Sequence, residues 1–374
     1  MILQDQDIVI FGLPRYDSEL ESTNYTTAKL LASNNRVYYV ENPYTLIDAL
    51  NGRESAKFKK RKKFFSPFST SILDTDTPHF YIVVPPVVFS INFLPEGWLF
   101  RKLLVVNEFL IGNKIRRILR KRRVEKYLFI NSFNFHYPNV VRFLSPLLTV
   151  YHCLDPLIIE FDRHHGVVSE QMLIEKSDIV LCSSRQLYKE NLVRNPKTFF
   201  VPNAADLTHS RKSLDVQLPL HELFKNLSGP VVGYFGAIER RIDYLMLQEV
   251  VEKNLDKTFV MVGPVIEDYL PAELLLLDNI IFPGSVPYSE LPSVLKGFDV
   301  AIIPFKKDAV SATIFPLKLF EYLGAGKPVV CTDFNPDLKE FTAGQVAFCS
   351  NAQEFSEAIH TAMLQNSPDQ IAAR

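Results

Sequence analysis

At 374 residues, with 47% hydrophobic and 22% charged side chains, the chain can bury two sizeable cores, and a net charge of −1 excludes the overall basic bias of a general nucleic-acid binder. Four cysteines, Cys153, Cys182, Cys331 and Cys349, follow no CxxC or zinc spacing and read as free buried thiols of a reducing compartment. No run reaches 18 apolar residues, and MILQDQDIVIFG lacks a basic n-region and a cleavable core, so a cytoplasmic chain that is neither secreted nor membrane-spanning is expected.

Along the chain, short apolar runs alternate with longer helix-like stretches, the pattern of α/β units on parallel sheets. The first half offers strands at 7–11, 37–40, 80–84, 127–131, 148–151, 178–182 and 198–201. After the first of them, FGLPRYD places Gly12 and Pro14 in a loop and Arg15 either toward a phosphate or on the surface, and a helix begins at Asn24. Residues 41–78 are irregular and carry the basic run KFKKRKK (57–63), followed by Phe64, Phe65 and Phe68; a second basic run, RRILRKRR, spans 116–123. These runs suit either an anionic membrane surface or a solvated helix face, with RNA a distant third. TVYHCLDPL ends a strand and leaves His152 and Asp155 at its edge, as a general base, a pair that orients the acceptor or the donor sugar, or ordinary packing. DRHHG (162–166) has no spaced third ligand and reads as a polar loop, and DTD (74–76) as an exposed turn, so no metal site is expected.

A polar, turn-rich stretch at 202–230 separates the halves, giving domains at 1–205 and 229–374 with a linker at 206–228. The second half offers strands at 230–235, 258–262, 279–282, 300–304, 328–331 and 346–349. KSDIVLCSS and GFDVAIIPF each set an aspartate at a helix-to-strand boundary, one in each half. After strand 300–304 comes FKKDAVSATIFPLKLFEYLGAG. Pro316 fits the first turn of a helix and Gly324 and Gly326 its end. Lys318 then stands in the first turn, where the helix dipole repels a cation. Either it makes a solvated pair with Glu321, or an anion belongs there: a diphosphate cradled by Ser311, Thr313 and the backbone at Ile314 and Phe315, with Glu321 one turn on to accept from ribose hydroxyls.

GYFGAIERRIDYLML, VMVGPV, NIIFPGSVPYSELPSVLKGFDVAIIPF and PLKLFEYLGAGKPVV, in this order over about 228–350, resemble the large retaining group of GT-B glycosyltransferases, the glycosyl transferases group 1. EKSDIVLCSSRQLYKENL and VPNAAD extend the likeness back to about 170. The resemblance implies two Rossmann-like doubly wound domains facing a central cleft, a nucleotide-sugar donor of UDP or GDP type held mainly by the second, and a glycan or lipid-linked acceptor held mainly by the first. It implies no cofactor, the nucleotide-sugar being a substrate. Glu321 matches the second acid of an E-x7-E signature that binds the donor ribose; Pro316 and Lys318 match a P-x-K-x-x-E-Y variant found in bacterial polysaccharide enzymes. Gly236 matches the glycine closing the first strand of the second domain, Arg240 falls at a diphosphate-binding lysine and Asp243 at the aspartate after it. Pro264 of VMVGPV and Val286 of FPGSVP fall among the donor-binding segments. Thr313 stands where the first acid of E-x7-E is usual and Ala237 where an arginine is common. The resemblance implies Arg240 and Lys318 as the catalytic cations, to which the reading of the strand end adds Asp155 and His152, and each diphosphate donor removed costs about 3 kcal/mol of barrier stabilisation. Gly12 and Arg15 are further phosphate candidates. The alternatives are a nucleotide-sugar epimerase of the same fold and a non-catalytic scaffold. Family members commonly close with a helix returning to the first domain; the last helix expected here is 352–365.

Overall fold

Runs of β-branched and aromatic residues set the sheets, because such side chains pack well on a pleated surface buried from both sides. A computed structural model describes residues 3–17, 22–52, 55–157, 160–205, 207–364 and 367–374. It forms two units, Met1–Val201 and Pro202–Arg374.

The first unit holds β1 (Asp7–Gly12), β2 (Arg36–Val40), β3 (Leu73–Asp74), β4 (Phe80–Val83), β5 (Leu128–Ser132), β6 (Leu148–Cys153), β7 (Ile179–Cys182) and β8 (Thr198–Phe200). They form one sheet of order β3-β4-β2-β1-β5-β6-β7-β8, parallel except at the β3–β4 edge. The second unit holds β9 (Val231–Phe235), β10 (Thr258–Val262), β11 (Ile280–Gly284), β12 (Val300–Ile303), β13 (Val329–Thr332) and β14 (Val346–Cys349). Their order, β11-β10-β9-β12-β13-β14, is the doubly wound 3-2-1-4-5-6 arrangement. Every strand expected from the sequence is present within two residues at either end. β3 alone escapes, because two residues show no period.

Both units start a strand pair in the same way. Asp178 Oδ2 accepts the Thr149 N–H of β6 at 2.8 Å, and Asp299 Oδ2 accepts the Val231 N–H of β9 at 2.7 Å. Each aspartate satisfies a backbone donor at the bottom of a neighbouring strand. The four cysteines are free and buried.

Three local readings change. DRHHG is helical, inside Glu160–Lys176, where His164 bonds the Leu94 carbonyl and His165 pairs with Glu96 at 2.8 Å. The 41–78 excursion contains the helices Leu46–Asn51 and Ala56–Arg61. Of the stretch 206–228, residue 206 lies outside the described residues, and the remainder counts with the second unit: Leu207 and Ser210 lie against Gly324. Residue 365 of the last expected helix is likewise outside them; the helix runs Ala352–Leu364. A further turn, Pro368–Ala373, sets Ile371 against Gly326.

Candidate functional site

In a doubly wound sheet the strand order reverses at one point, and loops leaving the carboxyl ends there diverge to leave room for a ligand. In the second unit that point lies between β9 and β12. The chain from Gly236 to Ile242, which follows β9, is laced on both sides. Gly236 N and Ile238 N donate to Val262 O and Pro264 O, both at 2.9 Å, while Lys306 N donates to Arg241 O and Asp243 N to Pro304 O, both at 2.8 Å. Pro264 therefore anchors this turn through its carbonyl. Asp243 caps the helix Tyr244–Lys253 by accepting from Met246 N at 3.1 Å.

Lys318 is the centre of this region. Pro316 is the N-cap of the helix Leu317–Gly324 and not its first turn, so Lys318 is the second helical residue. Its Nζ donates to the Tyr234 hydroxyl at 2.7 Å and lies 4.1 Å from the Tyr234 ring centroid and 5.1 Å from that of Phe305. The solvated pair with Glu321 is thus not what forms: the ammonium is held by a phenol and two aromatic faces, which partly repay its desolvation. Burial, and then the charge of Arg241, bring its pKa down to about 7, with Glu321 and Glu239 opposing. Gly236 has φ +132°, and a Cβ there would stand 2.3 Å from Lys318 Nζ, so only glycine fits both the backbone and the ammonium.

Arg241, not the sequence candidate Arg240, is the arginine brought to Lys318. Its guanidinium lies 5.8 Å from the same Phe305 ring and pairs with Glu239. Arg240 is half-buried on the same turn. Neighbouring arginines on an irregular turn carry no period, so sequence alone cannot choose between them.

The cradle expected at 311–315 is a closed turn. Ser311 N donates to Asp308 Oδ1 at 2.7 Å, Thr313 N to Val310 O and Ile314 N to Ser311 O, both at 3.0 Å, and the Thr313 hydroxyl to Val310 O at 2.6 Å. These donors are engaged within the loop, while the buried Ser311 hydroxyl has no hydrogen-bond partner among the described residues. Ile314 and Phe315 are buried, and Phe315 stacks on Phe320 with centroids 5.4 Å apart. The start of the following helix adds the N–H groups of Leu317 and Lys318, which have no intrahelical acceptor. Glu321 is half-buried one turn on and receives the Tyr288 hydroxyl at 3.4 Å; Tyr288, two residues after Val286, stacks on His209 at 4.3 Å. Neither aromatic stood out in the sequence.

In the first unit the reversal lies between β1 and β5. Gly12 packs so closely on Tyr39 that a Cβ would stand 2.2 Å from its hydroxyl oxygen, and the Gly12 carbonyl receives Asn134 Nδ2 at 3.1 Å. Arg15 stacks on Tyr44, 3.7 Å from the ring centroid. Asn24 Nδ2 donates to the Ser132 hydroxyl at 3.0 Å, and this hydroxyl meets His152 Nδ1 at 3.3 Å. Burial lowers the His152 pKa to about 4, so the ring is neutral at pH 7 and too weakly basic for efficient proton abstraction there. Asp155 is exposed beyond the end of β6.

The basic run 57–63 does not present one face. Arg61 is fully buried, bonded to Glu41 at 2.7 and 2.8 Å and to Asp17 at 2.6 and 2.8 Å, while Lys59, Lys60, Lys62 and Lys63 are exposed. In the helix Trp98–Lys121, Lys114 donates to the Phe64 carbonyl and Arg117 covers the exposed Phe68 at 5.3 Å, which brings the second basic run beside the first. Among the described residues no helix is long and apolar enough to cross a membrane, and no three His, Cys, Asp or Glu side chains are grouped to hold a metal ion.

Residues 229–365 match the family described as glycosyl transferases group 1. A Bacillus subtilis protein named as a teichuronic acid biosynthesis glycosyltransferase, TuaH, is 34% identical over 183 residues, 47% of this chain and 46% of that one, so the likeness spans about half of its length. Two solved structures share the fold. An alpha,alpha-trehalose-phosphate synthase (UDP-forming) from Burkholderia vietnamiensis superposes with a TM-score of 0.66 at 9% identity, covering 99% of this chain and 91% of the other. The Anabaena protein HepE, solved in complex with UDP and glucose, gives 0.59 at 15% identity over 98% and 95%.

Proposed function

We propose, from the premise that this chain belongs through residues 229–365 to the glycosyl transferases group 1 and has the GT-B fold, that it moves a sugar from a UDP- or GDP-linked donor to a glycan or lipid-linked acceptor with retention of configuration. One observation carries the reading: a cation held by aromatic groups at the switch point of the second sheet, at the start of a helix with no side-chain cap. Leu317 and Lys318 N–H groups, the Lys318 ammonium and the neighbouring arginines, Arg240 and Arg241, bind the diphosphate. As the glycosidic bond breaks, negative charge grows on the leaving phosphate, and these fixed donors stabilise it without reorganising. They carry that charge without a metal ion. Glu321 accepts from the ribose, Val286 and Pro264 line the nucleoside, and the first unit, through Asp155 and His152, orients the acceptor. Gly12 and Arg15 remain phosphate candidates of that unit.

The protein works at the inner membrane face, with the exposed lysines of 57–63 and the arginines of 116–123 on anionic headgroups, where each cation contributes about 1 kcal/mol. TuaH's name points to a cell-surface polysaccharide as the product class. A second reading, nucleotide binding without transfer, draws on Thr313, whose hydroxyl is bonded to Val310 O where the family's first acid is expected. A thermal-shift screen of UDP-, GDP-, TDP- and CMP-sugars tests the site. One class should raise the melting temperature, and Lys318→Ala and Glu321→Ala should each reduce the rise; equal shifts in both variants refute the assignment. Release of nucleotide from that donor, dependent on an added acceptor, separates transfer from binding and from epimerisation.

A further inference from the structure

We propose that Tyr234 is a positioning residue of the diphosphate site: its phenol holds the Lys318 ammonium against Gly236, at the start of the helix Leu317–Gly324. The inference deepens the reading above and rests on it.

Tyr234 belongs to β9 and has no exposed surface, so its hydroxyl must find partners inside the protein. It has two of opposite polarity. The O–H donates to the Ala237 carbonyl at 3.0 Å, which turns an oxygen lone pair toward Lys318, and Nζ donates into it at 2.7 Å. The ring adds its face, 4.1 Å from the same nitrogen. A lysine side chain has four rotatable bonds and a strongly hydrated head, and nothing in its own helix would hold it here. β9 supplies both the holder and the space, because Gly236, two residues on, removes the Cβ that would collide with the ammonium.

The choice of phenol over carboxylate has a chemical consequence. Arg241, on the following turn, is paired with a carboxylate, that of Glu239. Lys318 is in no ion pair among the described residues, and a neutral acceptor fixes its place while leaving its charge for an incoming anion. Tyr234 therefore acts through Lys318 on diphosphate binding and touches no substrate itself.

The test is calorimetric titration of UDP and UMP into the full chain, Tyr234→Phe, Lys318→Met and the double variant. Tyr234→Phe should weaken UDP about tenfold, the effect of one hydrogen bond to a charged group, and UMP several-fold less. The double variant should bind UDP no more weakly than Lys318→Met alone. The fall in UDP affinity as Lys318 loses its proton should also move to lower pH in Tyr234→Phe. The charged groups around that nitrogen, Glu321 on its own helix and Glu239 and Arg241 on the turn after β9, are unaltered in that variant.

Additive penalties, or normal UDP binding by Tyr234→Phe where Lys318→Met is impaired, overturn the proposal and leave the donor-site reading standing. Normal UDP binding by Lys318→Met overturns both. Should Tyr234→Phe melt early without nucleotide, Gly236→Ala crowds the same ammonium from the other side. It must show the same selective loss of UDP over UMP, and an unchanged ratio also refutes the proposal.

Discussion

Arg61, fully buried, and Lys318, half-buried, are cations set against the core, one in each unit, and their surroundings differ in kind. Arg61 is enclosed by two carboxylates, Glu41 and Asp17, with four hydrogen bonds to them. Lys318 is enclosed by a phenol and two rings. A guanidinium matched by carboxylates is neutralised where it stands and serves the packing of the excursion onto the sheet. An ammonium matched by neutral groups keeps its field. Burial alone therefore does not mark a functional cation; the sign of what surrounds it does.

Breaking the first arrangement should have the largest effect. Arg61→Met leaves Glu41 buried without its partner and should destabilise the first unit by roughly 3–5 kcal/mol, read by urea denaturation of the full chain. Nucleotide binding by the protein that remains folded should be unchanged. Next comes Gly236→Ala, which places a Cβ against Lys318 Nζ at positive φ; about 1–3 kcal/mol of strain is expected, with loss of the nucleotide-induced rise in melting temperature.

Lys318→Met should do the reverse to the nucleotide-free protein, raising its stability at pH 6 by roughly 1–2 kcal/mol because a desolvated charge is replaced by a hydrophobe of similar length. The sign follows from protons bound. The folded pKa of about 7 lies below the ordinary lysine value, so between the two the unfolded chain holds more protons and nucleotide-free stability rises with pH. Nucleotide affinity should fall over the same range, by no more than tenfold per pH unit, and Lys318→Met should abolish both slopes. The smallest effect is at the surface: Lys62→Gln, Lys63→Gln and Arg117→Gln should each reduce sedimentation with phosphatidylserine vesicles by about 1 kcal/mol or less. A loss of vesicle binding in Arg61→Met that exceeds its loss of fold would blur the distinction between the two cations.

Strand positions were legible because parallel strands buried on both faces must be continuous apolar runs, and Gly324 and Gly326 marked the end of their helix, the first as its last residue and the second just beyond it. Lys318 was conspicuous for the same reason, a charge at the wrong end of a helix dipole. What could not be read was which partner resolves the conflict. Tyr234 looks like any strand aromatic until its hydroxyl is located, and Arg240 and Arg241 differ only in which way an irregular turn points them. In the 311–315 segment a loop before a helix suggests open N–H groups, yet Asp308 and Val310 engage those of Ser311 and Thr313 in a turn of its own. DRHHG, in which Gly166 follows His164 and His165, read as a polar loop for want of a spaced third ligand. That glycine is helical, and a Cβ there would stand 3.0 Å from Leu157 and 3.1 Å from Phe135, so close packing explains its presence.

Gly263, at the end of β10, carries φ +147°, and a methyl group on it would meet the carbonyl oxygen of Gly236 at 2.1 Å. Two adjacent strands thus finish in glycines that touch, so a side chain added to the outer one pushes the backbone on which the lysine rests. Positions 236 and 263 are therefore two places beside Lys318 with no room for a side chain, and bulk added at either one reaches the ammonium, directly or through the backbone.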